Sequence, residues 1–131
     1  MSAAVDVLRA EGCEFGHGLV ELVEAGDIDS PHTDAVVAAY IHPLVEASVD
    51  TLVLGCTHYP FLIPSIARVS GGQLTIIEPS AAVAIQTRRV LLERDLLNPQ
   101  PRGVTHYFTS GDQGQFEVVL GKLMGGEEVR D

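Results

Sequence analysis

Cys56 and His58 stand two residues apart in the segment Gly55-Cys56-Thr57-His58-Tyr59-Pro60, directly after the apolar run Thr51-Leu52-Val53-Leu54. A thiol between a strand and a following helix lies near backbone N–H groups and the positive end of a helix dipole, and both favour the thiolate. An imidazole two positions on can donate a hydrogen bond or a proton, so the pair has the parts of a base and its helper. The plainer reading of the same residues is a small buried cysteine beside a histidine bonded to backbone. Glu21 and Glu24, three apart in Val20-Glu21-Leu22-Val23-Glu24-Ala25-Gly26, share one face of any helix formed there. A carboxylate near Cys56 could orient a histidine or a substrate ammonium, although spacing alone does not establish that nearness.

Other chemistries find less support. His17, His32, His42, His58 and His106 are scattered, and no Cys-x-x-Cys, His-x-x-x-His or His-Glu-x-x-His pattern occurs, so no metal site is expected. Gly16-His17-Gly18 and Gly71-Gly72 belong to no phosphate-binding pattern, and nucleotide binding is not expected either. The formal net charge of -10, from 18 acidic and 8 basic residues, argues against a nucleic-acid partner, which needs clustered Lys and Arg. Arg88-Arg89 is the one adjacent basic pair and reads as a solvated helix face. Apolar stretches are broken well before the ~20 residues that cross a bilayer, and the first residues lack a secretory pattern. The expectation is therefore a cytoplasmic chain without membrane attachment, whose two cysteines, Cys13 and Cys56, stay reduced.

The elements that must position Cys56 follow from the apolar periodicity. A short helix is predicted over Ala3 to Arg9, stopped near Gly12, and a longer one between Ser30 and Ser48, capped by Ser30, with Pro31 in its first turn and a kink at Pro43. Thr51 to Leu54 reads as a buried parallel strand, and Phe61, Leu62, Ile63, Ile66 and Val69 as the following helix, ended by Gly71-Gly72. Leu74 to Ile77 reads as a second strand, Pro79-Ser80 as the start of a helix over Ala81 to Leu97, and Asn98 to Gly103 as a linker. Val104 to Thr109 reads as a third strand, with Ser110 capping a last helix through Met124. This alternation predicts an α/β fold, a mostly parallel sheet flanked by helices, with ligands bound beyond the carboxyl ends of the strands, where Cys56 falls.

Leu54-Gly55-Cys56-Thr57-His58-Tyr59-Pro60, preceded by Val49-Asp50-Thr51-Leu52-Val53, resembles the second cysteine motif of the glutamate racemases, in the aspartate/glutamate racemase superfamily. His58 after Cys-Thr points to the glutamate branch. Cys13-Glu14-Phe15 through Leu22-Val23-Glu24-Ala25-Gly26 is similar to the family segment that ends in a functional glutamate. Ile77-Glu78-Pro79-Ser80-Ala81-Ala82-Val83-Ala84 and Phe108-Thr109-Ser110-Gly111-Asp112 are similar to later family segments, so the resemblance covers nearly the whole chain.

The resemblance implies racemisation of glutamate by two opposed cysteines, without metal, flavin or pyridoxal phosphate. Carried over by position, Cys56 would deprotonate L-glutamate, His58 would be its acid-base helper and a substrate contact, Glu24 an auxiliary carboxylate, and Thr57 a substrate-binding residue. It also implies that residues 1–79 form the later part of a second domain and 80–131 a part returning to the first. The family's Asp-Ser-Gly-type loop, its Tyr-Gly segment and its first catalytic cysteine have no counterpart here. Cys13 matches a noncatalytic family cysteine, and Glu14 and Glu21 stand where the family often has proline. The expected picture is an incomplete active site with exposed apolar surface, inactive alone, seeking a second copy or an absent N-terminal half. Two other readings remain open at this stage. One is a noncatalytic small-ligand or interaction module on the same fold. The other is a cysteine hydrolase using Cys56 and His58, for which no orienting acid or oxyanion-hole motif is evident.

Overall fold

A computed structural model describes residues 18–99 and 105–125; the predicted Ala3–Arg9 helix, Cys13 and most of the predicted linker lie outside them. The element order is α1 (Leu19–Glu24), α2 (Pro31–Glu46), β1 (Thr51–Val53), a 3-10 turn (Tyr59–Leu62), α3 (Ile63–Val69), β2 (Thr75–Ile77), α4 (Ser80–Glu93) and α5 (Gln113–Leu123). β1 and β2 pair in parallel, with Leu52 opposite Ile76. The ladder extends one step further, through a 3.0 Å bond from the Leu54 N–H to the Ile77 carbonyl, which brings the two strand-end loops side by side.

Local chemistry sets most of these boundaries. Ser30 caps α2 by accepting the Thr33 N–H at 3.1 Å, and Pro31 occupies the first turn, where its missing N–H costs nothing. The helix runs on through Pro43 to Glu46. Glu21 reaches back to accept the Gly18 N–H at 2.9 Å and so caps the start of α1. Gly71 and Gly72 both have positive φ, 60° and 72°, and turn the chain from α3 into β2.

The core lies between α1, α2, α3 and the inner face of the sheet. Val23, Val37, Leu44 and Leu62 are almost wholly enclosed, and Leu52 and Ile76 pack against them. Strand alternation turns Val53 and Ile77 outward, where they stay 63% and 47% exposed. Such a face is normally covered in a parallel sheet.

Three expectations are corrected. Residues 105–109 form no strand; Phe108 is 91% exposed and the segment has no ladder partner among the described residues. The last helix is capped by Asp112, whose carboxylate accepts the Gln115 N–H at 2.7 Å, and not by Ser110. α4 ends at Glu93 instead of Leu97, because Asp95 adopts φ 54°, outside any right-handed helix.

α2 and α3 are tied by a polar clamp. Asp34 accepts bonds from the buried Ser65 hydroxyl and from two nitrogens of Arg68, at 3.2 and 2.8 Å, while Arg68 also meets Asp29 at 2.8 Å. The Arg68 guanidinium, and then the Ser65 hydroxyl, hold the Asp34 carboxyl below its ordinary pKa. A depressed folded-state pKa contributes stability above the unfolded value, and that stability is lost as pH falls through the folded value. Asp34→Asn should therefore lower the urea midpoint at about pH 6, with the gap to wild type closing toward about pH 2. A gap that is the same at every pH would contradict this role.

Candidate functional site

β1 ends at Val53, and the next residues carry Cys56, Thr57 and His58 in a tight bend closed by Tyr59 N–H to Cys56 carbonyl, 3.3 Å, and Phe61 N–H to His58 carbonyl, 3.2 Å. Leu62, 1% exposed, pins the far side of this bend into the core, so the bend is anchored at both ends. The His58 ring turns back on the loop: its Nδ1 lies 3.8 Å from the Cys56 Sγ, and its Nε2 lies 3.3 Å from Oε1 of Glu24, at the end of α1. Thirty-four residues separate Glu24 from His58.

The arrangement has a direction. A carboxylate can only accept, so the contact with Glu24 places a proton on His58 Nε2 and, in the neutral ring, leaves the Nδ1 lone pair facing the thiol. That ring can take the thiol proton, and Glu24 then faces a cation. The pair is open to water, with His58 33% and Glu24 67% exposed, so its attraction is screened and contributes under about 1 kcal/mol to stability. Its value is orientation of the ring. Burial, followed by the nearby Cys56, pushes the Tyr59 phenol above its ordinary pKa.

An open cleft of about 350 Å³ lies beyond the carboxyl ends of both strands. Cys56 and Thr57 line it from the β1 loop; Glu78, Ser80 and Val83 line it from the β2 loop and the first turns of α4. His58 and Glu24 do not line this cleft and reach it only through the chain of contacts to Cys56. Thr57 is exposed, with its side chain available to a ligand. The structure therefore brings Cys56, His58 and Glu24 into one chain of contacts and sets Thr57 on the cleft wall.

Glu78 was not singled out from sequence. Its carboxylate accepts the Ser80 N–H at 2.7 Å, and the Ser80 hydroxyl and backbone hold it below its ordinary pKa. The available signal was positional: in a parallel pair, residues just past the ends of neighbouring strands share a cleft, and Glu78 follows β2 as Leu54 follows β1.

No family model matches the chain. It is similar to a curated glutamate racemase of Herpetosiphon aurantiacus, 52% identical over 103 residues that make up 78% of this chain and 41% of that protein. A glutamate racemase of Pseudomonas entomophila is 46% identical over 106 residues, 81% of this chain and 40% of that one. Among solved structures, the glutamate racemase isoform RacE1 of Bacillus anthracis superposes with a TM-score of 0.70 at 31% identity, over 82% of this chain and 40% of its own. Glutamate racemase of Thermus thermophilus, in complex with β-chloro-D-alanine, gives 0.65 at 33% identity, over 86% and 42%. The chain thus spans about two fifths of the length of the relatives it matches.

Proposed function

Because the chain belongs to the glutamate racemase family over the part it shares with these relatives, we propose that it supplies one of two opposed bases of a glutamate racemase. The contact chain from Cys56 Sγ through His58 to Glu24, at the edge of the cleft, is the observation that carries this reading. His58 Nδ1 draws the thiol proton, and the resulting thiolate takes the α-proton of L-glutamate: the C–H bond breaks, an S–H bond forms, and the electron pair is held on the α-carbon and its carboxylate. A second thiol, from outside this chain, gives a proton to the opposite face and yields D-glutamate. An α-proton is weakly acidic, so the base must be poised and held in line. Thr57 binds the substrate through its hydroxyl and backbone amide. The Thermus relative's complex with an amino acid supports the same class of ligand. D-glutamate would serve cytoplasmic peptidoglycan synthesis. Among the described residues no helix is long and apolar enough to cross a membrane.

The reading includes a partner. Residues 1–79 belong to the later part of a second racemase domain and 80–131 return to the first. Two features support this: every core residue among those described lies between Leu19 and Leu74, and α4 buries none of its own. α4 instead presents an open groove of about 480 Å³ lined by Val83, Val90 and Leu91, and the outer face of the sheet leaves Val53 and Ile77 uncovered. Exposed apolar surface of this kind marks an interface. An N-terminal part like that of the racemase relatives, or a second copy of this chain, would cover it.

The purified chain alone should not racemise glutamate. Mixed with a separately produced N-terminal part of the Herpetosiphon relative, it should convert L- to D-glutamate, as followed by optical rotation. Racemisation by the chain alone at a rate abolished by Cys56→Ala would overturn the need for a second base. Saturable glutamate binding with no conversion in the mixture would favour a noncatalytic ligand-binding module.

A further inference from the structure

The cleft beside Cys56 has one wall with no assigned role. Of the described residues that line it, Glu78 is the one with a charged side chain, set among Pro79, Ser80, Val83 and Ala84. A helix start facing a cleft is ordinarily an anion site, because its free N–H groups and dipole favour negative charge. At α4 that place is already taken. Its N-cap residue, Pro79, makes no side-chain cap bond, and the Glu78 carboxylate accepts the Ser80 N–H instead, at 2.7 Å. The helix end offsets only about half of a unit charge. A carboxylate has about four lone-pair sites, so binding to the first turn of α4 leaves it able to accept from a ligand as well.

We propose that Glu78 gives this wall of the cleft a fixed negative charge that receives the cationic group of the ligand, the α-ammonium of an amino acid, and leaves the ligand's carboxylate to the Thr57 side. The proposal rests on the amino-acid reading of the cleft given above. It makes Glu78 a binding residue that orients the α-carbon between its two charged groups and so sets which face meets Cys56. The same wall would disfavour a ligand that carries carboxylates and no ammonium.

The charge can be read at Cys56 without turnover. The full chain is treated with two methanethiosulfonates of similar size, one bearing a quaternary ammonium and one a sulfonate, and modification of Cys56 is followed by peptide mass mapping, which separates it from Cys13. The ratio of the cationic to the anionic rate should fall by about threefold or more in Glu78→Gln, the size expected of one unit charge acting through a water-filled cleft. Glutamine can still accept the Ser80 N–H, so the fold should survive, and an unchanged far-UV circular dichroism spectrum checks this. Glu78→Asp should keep most of the wild-type ratio. Glu93→Gln, about 20 Å away along α4, should leave it unchanged and controls for net charge. An unaltered ratio in Glu78→Gln, or an equal drop in Glu93→Gln, would overturn the proposal. Because no racemisation is needed, a failed racemase test and a failed charge test are separate results.

Discussion

Cys56→Ser is expected to slow deprotonation of L-glutamate at its α-carbon by roughly 10²- to 10⁴-fold in a mixture of this chain with a racemase N-terminal part, the range set by loss of a positioned base. A serine hydroxyl has nearly the same shape as the thiol but yields its anion far less readily, so geometry is kept while the base is lost. The contacts make the result directional. His58 and Glu24 are aligned on this thiol, with the Nδ1 to Sγ distance 3.8 Å, and nothing in the alignment depends on the opposite base. Exchange of the α-proton of L-glutamate should therefore collapse, whereas exchange from D-glutamate, which in the proposed mechanism the second thiol begins, should fall less. Equal loss in both directions would show that Cys56 acts through the fold and not as a base on one face.

Leu62→Ala should have the largest effect on stability, about 2–5 kcal/mol, the usual cost of a buried leucine cut to alanine. Leu62 is 1% exposed and sits in the 3-10 turn immediately after the Cys56 bend, between that bend and the core residues of α1 and α2. Whole domains are stable by only about 5–15 kcal/mol, so this one change should remove a large share of the total. Urea unfolding followed by circular dichroism should show the loss, and selective modification of Cys56 should weaken in parallel as the bend loosens. Phe108→Ala, at a residue 91% exposed, should stay within about 0.5 kcal/mol of wild type. A Leu62→Ala midpoint as high as that of Phe108→Ala would mean that the bend is not anchored as described.

These two residues also show what sequence reasoning reaches. β1, the bend and α3 were legible because Thr51 to Val69 carries its own signals: a β-prone run, Gly55, Pro60, an apolar helical period and a glycine stop. Ser30 was legible as a cap for the same local reason. Val104 to Thr109 misled because strand propensity describes a side-chain pattern, whereas a strand also needs a neighbour with a free edge. Residues 105–109 have none among those described. Ser110 misled because Asp112, two residues on, competes for the same N–H groups and has the better-placed acceptor. The approach of Glu24 to His58 spans thirty-four residues and depends on how α1 docks beside the bend, so no local pattern holds it. The family resemblance nominated Glu24, and the fold sets it at hydrogen-bonding distance. Glu78 escaped notice because its role comes from two loops meeting at the end of a parallel pair, a tertiary fact.

The most direct test of the central claim is α-proton exchange. L-glutamate in deuterated water is incubated with the chain plus a racemase N-terminal part, and loss of the α-proton signal is followed by NMR beside a Cys56→Ser control. Exchange should proceed in the wild-type mixture and be lost with the serine variant. Exchange equally fast with Cys56→Ser, or none in a wild-type mixture that binds glutamate, would contradict that claim.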